Sequence, residues 1–183
     1  VYDITYTSRE GFDQLYTSLD VYPRQGRDSK VAVFVHGGSW QSGDKSNVEL
    51  APEFVPMLQE LGYAVVCINH RLWPEVTYRE QAEDISSALL WVKENMRDYG
   101  ANGNEIVLMG YSSGSHLVAL VGTDHSYLEA QGLSISMIKS VICIDCLYDM
   151  PRVIETCYSF GYPVAAKNIP QIFGSEQEDL EAA

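Results

Sequence analysis

Gly110-Tyr111-Ser112-Ser113-Gly114 fits the pattern Gly-x-Ser-x-Gly and lies between two unlike segments. Ile106-Val107-Leu108-Met109 before it reads as a strand, and Ser113 through Leu120 after it reads as a helix. A serine on a tight strand-to-helix turn is pushed above the sheet, where its hydroxyl can attack a carbonyl carbon. Ser112 is therefore the candidate nucleophile. Gly110 and Gly114 support it, because side chains there would crowd the turn and the helix–strand contact. The plainer alternative for Ser112 is a helix N-cap after a glycine turn.

His36-Gly37-Gly38-Ser39-Trp40 is the second element. Acyl transfer builds negative charge on a carbonyl oxygen, and backbone N–H groups must be waiting for it. Consecutive glycines let the main chain approach that oxygen closely. Alone, the segment would read as a simple glycine turn. Following its own apolar strand, and upstream of Ser112, it reads as an oxyanion loop. His36 reads as the residue that packs and holds this loop, not as a base.

Both segments need a sheet beneath them. Residues 3–7 and 14–22 read as two strands, the second alternating Leu15, Thr17, Leu19 and Val21 with polar or aromatic neighbours, as on a half-exposed antiparallel edge. The apolar runs Val31–Val35 and Tyr63–Ile68 read as strands covered on both faces. A helix is expected between Asn47 and Leu61, weakened early by Pro52 and Pro56 and stopped by Gly62. Residues 78–99 form a long amphipathic pattern with Ile85, Ala88, Leu89, Val92 and Met96 on one stripe. A helix over 113–121 and a last strand over 140–144 follow. This alternation predicts an α/β fold, a mostly parallel, doubly wound sheet with helices on both faces. Ligands bind such sheets beyond the carboxyl ends of the strands, where the His36 loop and Ser112 both fall.

The 183 residues suit one domain with a sizeable core, at 46% hydrophobic and 20% charged content. A formal net charge of −13 argues against nucleic acid or an anionic membrane as partner, since both need a basic face. No apolar run approaches the ~20 residues of a membrane helix. No secretion signal is visible, but the chain begins at Val1, so the compartment stays open with the cytoplasm slightly favoured. Cys143 and Cys146 have CxxC spacing, without the helix start of a redox pair or the further ligands of a zinc site. They read as strand and strand-end cysteines.

The combination of His36-Gly-Gly-Ser-Trp40, Asn69-His70-Arg71-Leu72-Trp73-Pro74 and Gly110-Tyr-Ser-Ser-Gly-Ser-His-Leu117 resembles the α/β-hydrolase superfamily. The likeness is to the esterase/lipase branch with an HGG-type oxyanion loop, which includes carboxylesterases and kynurenine formamidases. It runs from about residue 4 to about residue 180, through Phe173-Gly174-Ser175. The resemblance implies a serine hydrolase acting on small-molecule carboxylic esters, with no cofactor and no metal. Ser112 would be the nucleophile, the N–H groups of Gly38, Ser39 and Ser113 the oxyanion hole, and Gly37 a shaper of the loop. His70 stands where many relatives have Tyr. Aryl formamide hydrolysis is the nearest alternative, and a non-catalytic binding protein of the same fold is another.

A serine hydroxyl needs a base, and the family supplies an acid and then a histidine after the serine. After Ser112 only His116 and His125 remain, and neither stands where the family places its base. Asp149 is a candidate acid, with a turn cap before Pro151 as the more ordinary reading. The expectation is a C-terminally incomplete hydrolase, nearly inert alone, whose strand at 140–144 is an open edge inviting self-association.

Overall fold

The computed structural model describes residues 1–24, 26, 28–50, 52–145 and 148–174. Six strands form one sheet: β1 (Ile4–Thr5), β2 (Ser18–Tyr22), β3 (Ser29–Val35), β4 (Tyr63–Ile68), β5 (Ala101–Tyr111) and β6 (Ile138–Ile144). Their spatial order is β1-β2-β4-β3-β5-β6. β1, β2 and β4 pair antiparallel, while β4, β3, β5 and β6 run parallel. The helices are α1 (Phe54–Glu60), α2 (Tyr78–Asn95), α3 (Ser113–Thr123), α4 (Ser126–Glu129), α5 (Met150–Ser159) and α6 (Pro163–Phe173).

Alternate residues of the central strands face opposite ways, and each face finds its own helices. Ala32, Val65, Cys67 and Met109 pack with Leu58 of α1. Val31, Val33, Val35, Ala64, Val66 and Ile68 pack with α2 and α3. The expected α2 stripe of Ile85, Ala88, Leu89, Val92 and Met96 is entirely buried. The chain steps from β3 outward to β4, then returns across β3 to β5. The order of strands therefore reverses between β3 and β5, the point where such sheets open a crevice. β3 ends at the His36 loop and β5 ends at Ser112.

Several elements differ from expectation. Residues 14–17 form a short 3-10 turn, because Asp13 accepts the Leu15 N–H at 2.9 Å and breaks the alternating run. β2 starts only at Ser18 and is buried along Ser18–Val21, being flanked by β1 and β4. The single helix expected over 47–61 divides into a 3-10 turn, Lys45–Leu50, and α1. Pro56 is accommodated in the first turn of α1, where its missing N–H costs nothing. α2 starts with a capping box between Thr77 and Glu80. It tightens into a 3-10 turn at Met96–Tyr99. Helices α5 and α6 had no counterpart in the sequence reading.

β6 is an edge of the sheet, with Val141 36%, Ile142 41% and Ile144 37% exposed. Among the described residues no helix is long and apolar enough to cross a membrane. Cys143 offers its thiol to the Ser115 carbonyl at 3.6 Å, while Cys146 lies outside the described residues, as does Ser175.

Candidate active site

Ser112 joins β5 to α3 with φ 52° and ψ −121°, a conformation that costs a non-glycine residue on the order of 1–3 kcal/mol. Ser112 occupies the N-cap position of α3, but its side chain makes no capping hydrogen bond. The surroundings fix this geometry. The Ser112 N–H donates to the Ile144 carbonyl at the end of β6, at 2.9 Å. The Ser115 hydroxyl lies 2.6 Å from the Gly110 carbonyl and 2.7 Å from the Ile144 carbonyl, and accepts the Ile144 N–H at 2.9 Å. Ser115 was not singled out in the sequence. Its only signal there is a hydroxyl placed just after the second glycine of the turn.

Gly110 and Gly114 are required by close approach. A Cβ on Gly110 would run into the Gly114 carbonyl, and one on Gly114 into the carbonyls of Val35 and His36. α3 can thus sit directly on the end of β3. Gly114→Ala should push the two apart and lower stability by about 1–3 kcal/mol, the usual range for overpacking, read as a shift in the urea midpoint.

The loop after β3 lies against Ser112. A Cβ on Gly37 would stand 3.0 Å from the Ser112 Cβ and 2.9 Å from the Tyr111 carbonyl oxygen. Gly38, Ser39 and Trp40 then take positive φ values of 133°, 54° and 62° in succession. The Gly38 carbonyl closes this turn by accepting the N–H groups of Gln41 (3.1 Å) and Ser42 (3.0 Å). Among the described residues the amides of Gly38, Ser39 and Ser113 donate to no protein acceptor. A cavity of about 620 Å³ opens beside the loop, walled by Phe34, Phe54, Tyr111 and Ile144.

His36 bonds to its own loop. Its Nδ1–H donates to the Gly37 carbonyl at 2.8 Å, because a carbonyl can only accept. Its ring stacks on His70 with centroids 4.6 Å apart and planes 14° apart. His70 makes the same bond to the Arg71 carbonyl, at 2.8 Å. Burial lowers the His36 pKa below the ordinary value. Burial first, and the His36 neighbour second, lower His70 to about 3. Both imidazoles are neutral at pH 7. Beneath them Arg71 grips Asp84 of α2 through Nε (2.8 Å), Nη2 (2.9 Å) and its backbone N–H (3.1 Å).

The remaining candidates fall elsewhere. His116 is buried, with Nδ1 accepting the indole N–H of Trp40 at 3.4 Å. His125 is exposed at the start of α4. Asp149 caps α5 by accepting the Arg152 N–H at 2.9 Å, the ordinary role foreseen for it. Among the described residues no histidine hydrogen-bonds to the Ser112 hydroxyl.

A strained serine at a strand-to-helix turn, faced by a glycine loop from the adjacent parallel strand at the switch point of the sheet, is the architecture of the α/β-hydrolase fold. Esterase B from Lactobacillus rhamnosis shares that fold, with a TM-score of 0.73 and 24% identity, over 97% of this chain and 58% of its own. The BD-FAE family profile matches residues 19–151, and the chain belongs to that family. Among curated proteins it is 31% identical to a probable isoprenylcysteine alpha-carbonyl methylesterase of Oryza sativa subsp. japonica, over 81% of this chain and 37% of that protein. It is 34% identical to esterase LipQ of Mycobacterium tuberculosis, over 61% of this chain and 26% of that protein. The matches thus span between about a quarter and just over a third of those relatives' lengths.

Proposed function

We propose that Ser112 is the nucleophile of a hydrolase acting on small carboxylic esters. The Ser112 oxygen bonds to the acyl carbon while the amides of Gly38, Ser39 and Ser113 receive the charge that moves onto the carbonyl oxygen. The carbon–alkoxy bond then breaks, the alcohol leaves with a proton, and water releases the acid by the same route. The reading needs no metal and no cofactor. Its principal support is the Ser112 backbone, held at φ 52° with Gly37 against its side chain and no capping bond on its hydroxyl. The printed names of the relatives, a methylesterase and an esterase, favour esters as the substrate class.

Deprotonating the hydroxyl requires a base. None of the four histidines is placed for that among the described residues. Reactivity at Ser112 and steady turnover are therefore separate measurements. In the full-length protein a fluorophosphonate probe should label Ser112, located by peptide mass spectrometry, and Ser112→Ala should abolish the labelling. Steady turnover of p-nitrophenyl acetate by the 183 residues should be slow, because no histidine among the described residues reaches the Ser112 hydroxyl, and a serine protease without its histidine loses on the order of 10⁶ in turnover. A full-length protein that resists the probe, or is labelled equally as Ser112→Ala, would refute the assignment.

A further inference from the structure

The nucleophile and the oxyanion loop stand on different strands, β5 and β3, yet the proposed chemistry needs a fixed spacing between them. One residue touches both. The backbone N–H of His116 closes the first turn of α3 onto the Ser112 carbonyl at 3.4 Å. Its side-chain Nδ1 accepts the Nε1–H of Trp40 at 3.4 Å. Trp40 immediately follows Ser39 and is itself anchored, its carbonyl accepting the Trp73 N–H at 2.9 Å and the Gln81 side-chain amide at 2.8 Å.

The bond fixes the state of the imidazole. An indole N–H only donates, so His116 Nδ1 carries the lone pair. The two rings meet edge to face, with centroids 5.6 Å apart and planes 80° apart. Phe173 of α6 covers the pair, 4.8 Å from Trp40 and 5.2 Å from His116. All three side chains are buried. A buried indole N–H deprived of its acceptor is costly, so the loop cannot drift away from α3 without penalty.

We propose that His116 is a positioning residue that, through Trp40, sets the distance between the oxyanion-loop amides and Ser112. The proposal rests on the hydrolase reading above and adds a group that meets neither substrate nor reacting atom. The bridge bears on charge that develops at the carbonyl oxygen, so it acts on the chemical step and not on ground-state binding. Displacements of about 1 Å at such sites cost on the order of 10² in rate.

The test uses the full-length protein and two substitutions. His116→Phe keeps an aromatic ring in the packing and removes the acceptor. His116→Asn keeps an acceptor oxygen close to the Nδ1 position. The readouts are the rate of Ser112 phosphonylation, separated into maximal rate and half-saturation, and the Trp40 indole N–H resonance in ¹⁵N NMR, assigned with Trp40→Phe. His116→Phe should slow the maximal rate about 10- to 100-fold. Half-saturation should stay unchanged while the indole proton moves upfield, and His116→Asn should recover both signals. Wild-type rates in His116→Phe would overturn the proposal, and so would a loss that His116→Asn fails to recover. If His116→Phe does not fold, Trp40→Phe breaks the same bond from the donor side and must show the same rate loss. A wild-type protein that is not labelled would overturn the hydrolase reading, and with it this role. The indole resonance tells that case apart from a bridge that is simply not formed.

Discussion

Asp84→Ala should lower stability by about 3–5 kcal/mol, read from the urea midpoint, because it strands a buried cation. Asp84 is fully buried on α2, and Arg71 is 8% exposed at its side chain. The carboxylate takes three donors from Arg71, and Arg9 approaches it at 3.5 Å. Without it the guanidinium keeps its charge inside the protein, and its ion-pair partner is gone. Removing both partners is a different experiment. Arg71→Met combined with Asp84→Leu replaces a desolvated pair by apolar volume, which is often neutral or better. The double variant should recover most of the stability lost in Asp84→Ala. A single variant within 1 kcal/mol of wild type would show that the pair does not anchor this region. Arg71 directly follows His70, so loosening it should also slow phosphonylation of Ser112.

Acid should unfold the protein through His70, and the sign follows from its folded and unfolded pKa values. The ordinary histidine value is 6.5, and burial lowers the folded value to about 3. Between those limits the unfolded chain binds the proton and the folded chain does not. The contribution of His70 is therefore complete above pH 6.5 and is lost as pH falls toward 3. At about 1.4 kcal/mol per unit, the full loss is on the order of several kcal/mol. His36, lowered in the same direction by burial, adds to it, while the Asp44 carboxylate partly offsets the effect on His36. Asp44 itself is held near 2, its hydrogen bonds from Ser46 and Asn69 outweighing the upward push of burial. Its stabilisation is lost as pH falls from its ordinary value of 3.8 toward 2, so it barely enters between pH 6.5 and 4.5. His70→Phe keeps a flat ring on His36 and removes the titrating nitrogens. Denaturation midpoints between pH 6.5 and 4.5 should fall less steeply in that variant. An unchanged slope would show that the stacked pair is not the sensor.

What the sequence made legible was local. The apolar runs of β3 and β4, the stripe on α2 and the glycine-flanked Ser112 each announce themselves within a few residues. Together they sufficed to place Ser112 and the His36 loop on one edge of a parallel sheet. Asp13 defeated the alternation at 14–17, because a single side-chain bond outbid a period-2 pattern. Pro151 and Pro163 occupy the first turns of α5 and α6, where the missing N–H costs nothing. There they open helices that a breaker reading hides. The contacts that fix the site were not legible. Trp40 meets His116 across 76 residues, and Arg71 meets Asp84 across 13. His36 meets His70 only because β3 and β4 are neighbours. No spacing rule marks such pairs before the sheet order is known.

The bond from the Ser112 N–H to the Ile144 carbonyl also sets a timetable. The turn is encoded in residues 110–115, but the strand end that locks it lies 29 residues beyond Ser115. During synthesis the motif leaves the ribosome before the strand end that accepts the Ser112 amide has been made. The bonds from Ser112 and Ser115 to Ile144 form only when β6 docks on β5. The last anchor of the Ser112 turn is thus the last of the six strands to be made, one that lends the turn a backbone carbonyl and amide.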